Sequence, residues 1–196
     1  MIRLPKKLIL ASSSPRRREI LEQLGIKFDV VPGSVEEVYS GAEDPAELVC
    51  RLALMKARDV ADRALEDCLV LAADTVVYKD RLLGKPADRE EAIRMLEQLQ
   101  NGWHDVYTGL ALVDMKAGYE SVCYERTRVE MMGLTREQIE SYIDSGEYAD
   151  KAGAYAVQGL AAAFIPRIIG CYFNVKGLPV NLLYRELLKY TGTVDK

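Results

Sequence analysis

Residues 68–78, Cys-Leu-Val-Leu-Ala-Ala-Asp-Thr-Val-Val-Tyr, make a nearly continuous apolar run with a single carboxylate, Asp74, inside it. A strand wet on one side alternates apolar and polar residues, whereas an unbroken run requires cover on both faces. Helices packed on either side of a sheet supply that cover, so this run points the chain toward an α/β architecture. It also raises a question of charge. A carboxylate in such surroundings is costly unless it is paired, hydrogen-bonded or metal-bound.

The remaining segments suit a central sheet flanked by helices. Lys7–Ala11 reads as a short buried strand, followed by Ser12-Ser13-Ser14-Pro15, where Pro15 suits the first helical position and Ser14 the N-cap. Ile20, Leu21 and Leu24 form the apolar stripe of that helix, and Gly25 ends it. Ile26, Phe28 and Val30 alternate as in a strand. A second helix begins at Asp44-Pro45 with Glu47 completing a box-like cap, and its apolar face extends toward Leu65. Asp88 and Glu91 open another helix, closed at Asn101-Gly102. Strands over Val106–Val113 and Tyr119–Met131 flank the Lys116-Ala117-Gly118 turn, and Thr135 with Gln138 caps the helix that ends at Ser145-Gly146. A glycine-punctuated stretch, Gly153 to Gly177, precedes a last helix over Pro179–Tyr190. No repeat or separating linker divides the 196 residues, a length that fits one domain or two small lobes sharing a core.

Composition narrows the function classes. Apolar residues at 49% and charged residues at 29% exclude collagen-like, disulfide-scaffold and disordered chains. A net charge of −4, with no basic stripe or stacking platform in the sequence, argues against a nucleic-acid partner. Cys50, Cys68, Cys123 and Cys171 are isolated, and His104 is the only histidine, so no zinc site is expected and a reducing, cytoplasmic setting is. No apolar stretch approaches the ~18 residues of a membrane span, so no membrane partner is expected.

Four segments carry residues able to do chemistry. Arg16, Arg17 and Arg18 occupy the first turn of a helix, where cations oppose the macrodipole and an anionic ligand would compensate. With Ser12 and its neighbours they suit a phosphate cradle, or else are three solvated arginines at a strand–helix corner. Asp74 suits a general base or a metal ligand, or else a structural acid. Lys56 and Lys85, taken alone, read as surface lysines; Glu36-Glu37 as loop charge; His104 as a hydrogen-bonded strand residue. In Asp150–Gly159, Lys151 and Gln158 stand among small residues, and the Gln158 amide can read a nucleobase edge or a backbone group. Cations, carboxylates and an amide together fit a polyanion with a metal; a nucleoside triphosphate is the simplest such ligand, and composition and spacing do not choose it over other phosphorylated metabolites.

Six segments in order, Leu10-Ala11-Ser12-Ser13-Ser14-Pro15-Arg16-Arg17, Ala73-Asp74-Thr75-Val76-Val77, Gly84-Lys85-Pro86, His104–Gly109, Asp150–Gly159 and Gly177-Leu178-Pro179, resemble the Maf proteins over residues 8–190. The resemblance implies one domain over 1–196 with a twisted mixed sheet flanked by helices. It also implies an elongated, two-lobed form with a central cleft, akin to the inosine triphosphatases, and a homodimer. It implies hydrolysis of a nucleoside triphosphate between the α and β phosphates with a divalent cation, Mg²⁺ or Mn²⁺. By position, Asp74 matches the proton acceptor; Arg16, Thr75 and Gln158 match residues tied to base specificity. Ser12, Arg17, Lys56 and Lys85 match phosphate and active-site contacts, and Glu37 joins Asp74 near the metal, with Glu36 the alternative if the loop shifts by one. Gln158 resembles the branch acting on dTTP, UTP and modified pyrimidine triphosphates, because an amide satisfies the donor–acceptor edge of uracil or thymine. The alternatives are the sister branch acting on 7-methyl-GTP, and a nucleotide-binding regulator of cell division or septum formation. Cys171 departs from the serine more usual at its position, a change of one atom.

Overall fold

The computed structural model describes residues 3–35 and 43–193. Seven strands form one mixed sheet: β1 (Lys7–Leu10), β2 (Phe28–Val30), β3 (Cys68–Lys79), β4 (Arg81–Leu83), β5 (Gly102–Asp114), β6 (Tyr119–Met131) and β7 (Arg167–Ile169). The helices are α1 (Pro15–Gln23), α2 (Pro45–Arg63), α3 (Arg89–Leu99), α4 (Arg136–Asp144), α5 (Tyr172–Lys176) and α6 (Val180–Tyr190). Along the sheet the order is β2-β1-β3-β5-β6-β7, with β4 paired to β3. β1 runs parallel to both β2 and β3, with Leu8 opposite Phe28 and Leu69. β4 and β7 are antiparallel additions to β3 and β6.

The apolar run behaves as its composition demands. Residues 68–73 of β3 are all buried, so both faces of the strand are covered. The chain divides into two compact units, the first comprising Met1–Asp74, Thr108–Glu125 and Gly177–Lys196, the second Thr75–Tyr107 and Arg126–Lys176. In the first, Ala53, Ala57 and Val60 of α2 pack with Val70 and Ala72 of β3 and Ala111 and Val113 of β5. In the second, Ile93, Leu96 and Leu99 of α3 and Ile139 and Ile143 of α4 pack with Val77, Val106 and Val129.

Local signals set most boundaries. Asp44 accepts from the Ala46 and Glu47 amides to start α2, and Asp88 accepts from the Glu91 amide to start α3. Thr135 and Gln138 form a reciprocal capping box on α4. Three boundaries differ from the sequence expectation by two residues or more. α2 ends at Arg63, because Ala64 turns extended and leaves Leu65 99% exposed. The second strand begins at Phe28, since only Phe28–Val30 lies in register with β1. β5 begins at Gly102 rather than Val106, with half-buried Trp103, Asp105 and Tyr107 alternating with buried His104, Val106 and Thr108. Its polar residues hide the period-two pattern from a reading by hydrophobicity alone.

α2 lies directly on β5 at Gly109. A Cβ there would come within 2.2 Å of the Val49 carbonyl oxygen and 2.4 Å of its carbon, backbone atoms that cannot swing aside. Gly109→Ala should therefore destabilise the protein by about 3 kcal/mol or more. Gly33→Ala, whose Cβ would meet nothing nearer than 3.6 Å, should change stability by less than about 0.5 kcal/mol. Urea unfolding of the two variants checks both values, and equal effects would show that α2 does not rest on Gly109.

Candidate active site

The order β2-β1-β3 places β1 where the chain first steps to one side and then to the other. In parallel sheets such a switch point opens a crevice at the carboxyl end of the central strand, where ligands commonly bind. The Ser12-Ser13-Ser14 turn sits at that end. The Ala11 amide makes the last ladder bond, donating to the Leu71 carbonyl at 2.8 Å. The buried Ser12 hydroxyl then accepts from the Ser14 amide at 3.2 Å and from Arg17 Nη1 at 3.1 Å. Ser14 holds the N-cap position of α1 but makes no side-chain cap; Ser12 does the local bonding in its place.

Part of the charge at this helix start is balanced from within. Arg17 Nε donates to the Gly177 carbonyl at 2.8 Å, which ties α1 to the segment before α6. Arg16 is half-buried on the same turn and Arg18 is exposed. Two acceptors thus fix the Arg17 fork, which lowers the entropy cost of presenting it to an anion.

Asp74 follows Leu71 on β3, three residues beyond the end of the β1 ladder, and is 4% exposed. Lys56 Nζ, from α2, donates to its Oδ1 at 2.5 Å. The Lys56 and Asp74 side chains are 12% and 6% exposed. Ala53 and Ala57 bury the α2 face around Lys56, so its stem crosses apolar surface before the ammonium meets the acid. This is the partner that the lone carboxylate in the apolar run requires. Arg51, which the sequence does not single out, lies five residues earlier on α2 and holds Glu43 through two bonds of 2.8 Å. The Glu43 carboxylate, with a smaller contribution from Asp74, pushes the Arg51 guanidinium up from its ordinary range. Its only sequence signal is a cation within a helix that otherwise turns apolar residues inward.

The second unit carries Thr75, Lys85 and Gln158. Thr75 is half-buried, while Lys85 and Gln158 are exposed. The Gly153 amide donates to the Gly84 carbonyl at 3.0 Å, which fastens the 150–158 segment to the loop bearing Lys85. Gly153 has φ +68°, and a Cβ there would stand 2.9 Å from Val77 Cγ2. His104 is part of the same anchorage. Its Nε2 shares a 2.8 Å hydrogen bond with the Tyr155 hydroxyl, and the two rings meet edge to face. Burial, helped by the Lys79 charge, pushes the imidazole down to about 4, so it is neutral at physiological pH.

The structure thus gathers Ser12, Arg16, Arg17, Lys56 and Asp74 in the first unit and places Thr75, Lys85 and Gln158 in the second. Glu36 and Glu37 lie outside the described residues. Among the described residues no group of three or more His, Cys, Asp or Glu side chains is placed to hold a metal, and no helix is long and apolar enough to cross a membrane. The Arg128 and Arg167 guanidiniums lie 5.1 and 5.8 Å from the centre of the Trp103 ring, a packing of cations on an aromatic that spacing alone does not reveal.

A family model described as Maf-like protein matches residues 7–190. The chain belongs to the Maf-like protein family. The dTTP/UTP pyrophosphatase of Pelotomaculum thermopropionicum is 52% identical to it over 186 residues, 94% of this chain and 97% of that one. The dTTP/UTP pyrophosphatase of Acetivibrio thermocellus is 46% identical over 192 residues, covering 95% and 96%. That of Alkaliphilus metalliredigens is 44% identical over 185 residues, covering 94% and 96%. Among solved structures, the Ham1 protein of Staphylococcus aureus superposes with a TM-score of 0.56 over 94% of this Maf-like chain and 100% of that one; at 15% identity the likeness is one of fold.

The His104 environment yields a pH dependence. A ring held at about 4 in the fold against 6.5 in the unfolded chain binds its proton in the unfolded state first, so stability falls as pH drops through that window. Between pH 7 and pH 5 this residue should remove about 2 kcal/mol. Urea unfolding of wild type and His104→Gln at both pH values checks the effect. An equal loss in the variant would show that the imidazole does not carry it.

Proposed function

We propose that this Maf-like chain hydrolyses dTTP and UTP at the α–β phosphoanhydride, releasing the nucleoside monophosphate and pyrophosphate. The observation that carries the reading is the buried pair that Lys56 makes with Asp74 on β3, the strand paired with β1, whose end carries the Ser12–Arg17 turn. It lies in a chain 44–52% identical to relatives named dTTP/UTP pyrophosphatase. Modified pyrimidine triphosphates belong to the same substrate class. The activity is placed in the cytoplasm, where these nucleotides are made and used.

Roles are assigned residue by residue. A water oxygen attacks the α phosphorus, Asp74 takes its proton, and the bond to the α–β bridging oxygen breaks as pyrophosphate departs. Negative charge grows on the phosphoryl oxygens and the leaving group, so fixed cations stabilise the transition state more than the ground state. Lys56 orients the Asp74 carboxylate through Oδ1. Ser12, Arg17 and Lys85 hold phosphate oxygens, while Arg16, Thr75 and Gln158 discriminate the base. The Gln158 amide offers an acceptor to the N3–H and a donor to the O4 of uracil or thymine.

A divalent cation fits this donor set as a site shared with substrate. One protein carboxylate, Asp74, stands among the described candidate residues, and Mg²⁺ is commonly held by one or two carboxylates with phosphate oxygens and water. Asp74, joined by Glu37, would hold it. The ion would supply charge neutralisation on the triphosphate.

Pyrophosphate release by wild type and Asp74→Asn, measured with Mg²⁺ on dTTP, UTP, dCTP and 7-methyl-GTP, tests the reading. The wild type should turn over dTTP and UTP, and Asp74→Asn should lose about 10²–10⁴-fold in kcat while remaining folded by circular dichroism. Turnover of 7-methyl-GTP alone would overturn the pyrimidine assignment, and an undiminished rate in the variant would overturn the role of Asp74. A chelator should abolish turnover, and Mg²⁺ or Mn²⁺ should restore it; activity that survives chelation would remove the cation.

A further inference from the structure

Gln158 projects from a short turn whose backbone is fixed at three points. The Gly159 amide donates to the Ala156 carbonyl at 3.1 Å, closing the turn, while Ala156 and Val157 are buried at 4% and 6% exposure. Beyond it the chain enters a 3₁₀ segment, Leu160–Phe164, whose own N-cap position, Gly159, makes no side-chain cap. The missing acceptor comes from thirteen residues upstream. Glu147 Oε2 accepts from the Leu160 amide at 3.0 Å.

The same carboxylate lies against Gly159. Gly159 has φ −105° and ψ −150°, so its φ is outside the left-handed region that favours glycine. A Cβ at that position would fall 2.1 Å from Glu147 Oε2 and 2.3 Å from Cδ. A side chain at position 159 would displace the Glu147 carboxylate. The Glu147 backbone is held in turn, since its amide donates to Ser145 Oγ at 3.3 Å and that hydroxyl donates to the Tyr142 carbonyl at 2.6 Å. Burial, with the neighbouring Glu147 carboxylate added, pushes the Tyr142 phenol up.

We infer that Glu147 is a positioning residue for base discrimination: its carboxylate caps Leu160 and packs on Gly159, fixing the backbone that aims the Gln158 amide. The inference rests on the reading of Gln158 given under the proposed function. An amide reads a base edge only if its donor and acceptor are aligned, and a displacement near 1 Å can cost on the order of 10²-fold. Uracil and thymine present a donor at N3 and an acceptor at O4; cytosine presents the reverse. A freed turn lets the amide rotate and blurs that distinction.

The test compares kcat and KM for dTTP and dCTP in wild type, Glu147→Ala, Glu147→Gln, Gly159→Ala and Gln158→Ala, with thermal unfolding run alongside. Glu147→Ala and Gly159→Ala should each lower the dTTP/dCTP ratio of kcat/KM about tenfold, through KM for dTTP, with kcat kept within about threefold. Glu147→Gln keeps an acceptor for Leu160 and should hold the ratio within about threefold. A ratio unchanged in folded Glu147→Ala would overturn the inference. So would a loss there that Gln158→Ala does not share, since the effect would then bypass Gln158. A wild type with no turnover of dTTP would instead remove the functional reading, and the inference with it.

Discussion

A carboxylate buried in a strand that is otherwise hydrocarbon must find a counter-charge, and much of the first unit is arranged so that Asp74 finds one. Desolvating an ion costs several kcal/mol, and only a partner held at close range returns it. Lys56 reaches Asp74 at 2.5 Å because α2 lies flat on the sheet, and α2 lies flat because Gly109 presents no side chain beneath it. The glycine, the helix and the ion pair therefore form one dependency. Packing of backbone on backbone decides where an ammonium can stand.

Around that pair the chain uses the end of β1 economically. Ser12 bonds the turn that follows it and also receives Arg17, whose Nε is spent on Gly177. Two segments distant in sequence, the Ser12–Arg17 turn and the stretch at Gly177, thus share one corner through a single guanidinium fork. The second unit follows a different principle. There the segment bearing Gln158 packs Ala154, Tyr155 and Val157 into the core, and specific partners add to its shape: Gly84 for Gly153, His104 for Tyr155, Glu147 for Leu160. Small residues let these partners approach, and the approach fixes the chain.

Some of this was legible in the residues alone. The run at 68–78 announced a two-sided strand, and the caps at Asp44, Asp88 and Thr135 marked helix starts, because capping is a local interaction read within four residues. Ser12 and Asp74 could be suspected individually, as polar groups in or beside apolar stretches, whereas Lys56 alone read as a surface lysine and only its bond to Asp74 marks it. Arg51 and Glu147 could not. Nothing near Arg51 in the chain marks it as feeling the Asp74 charge, and Glu147 acts thirteen residues away across a turn. The short strands β4 and β7 were equally silent, since three residues carry no period and are defined by the strand they pair with.

The sequence by itself determined the α/β class, the long buried strand, the helix starts and the Maf-like motifs, all of which depend on neighbours within one turn or one strand. Tertiary structure decided which partner Asp74 takes, that His104 is a buried neutral ring bonded to Tyr155, and that the Glu147 carboxylate lies against Gly159. These are contacts between segments 12 to 51 residues apart. Their energies come from distance and exclusion of water, and both exist only once the chain has closed on itself.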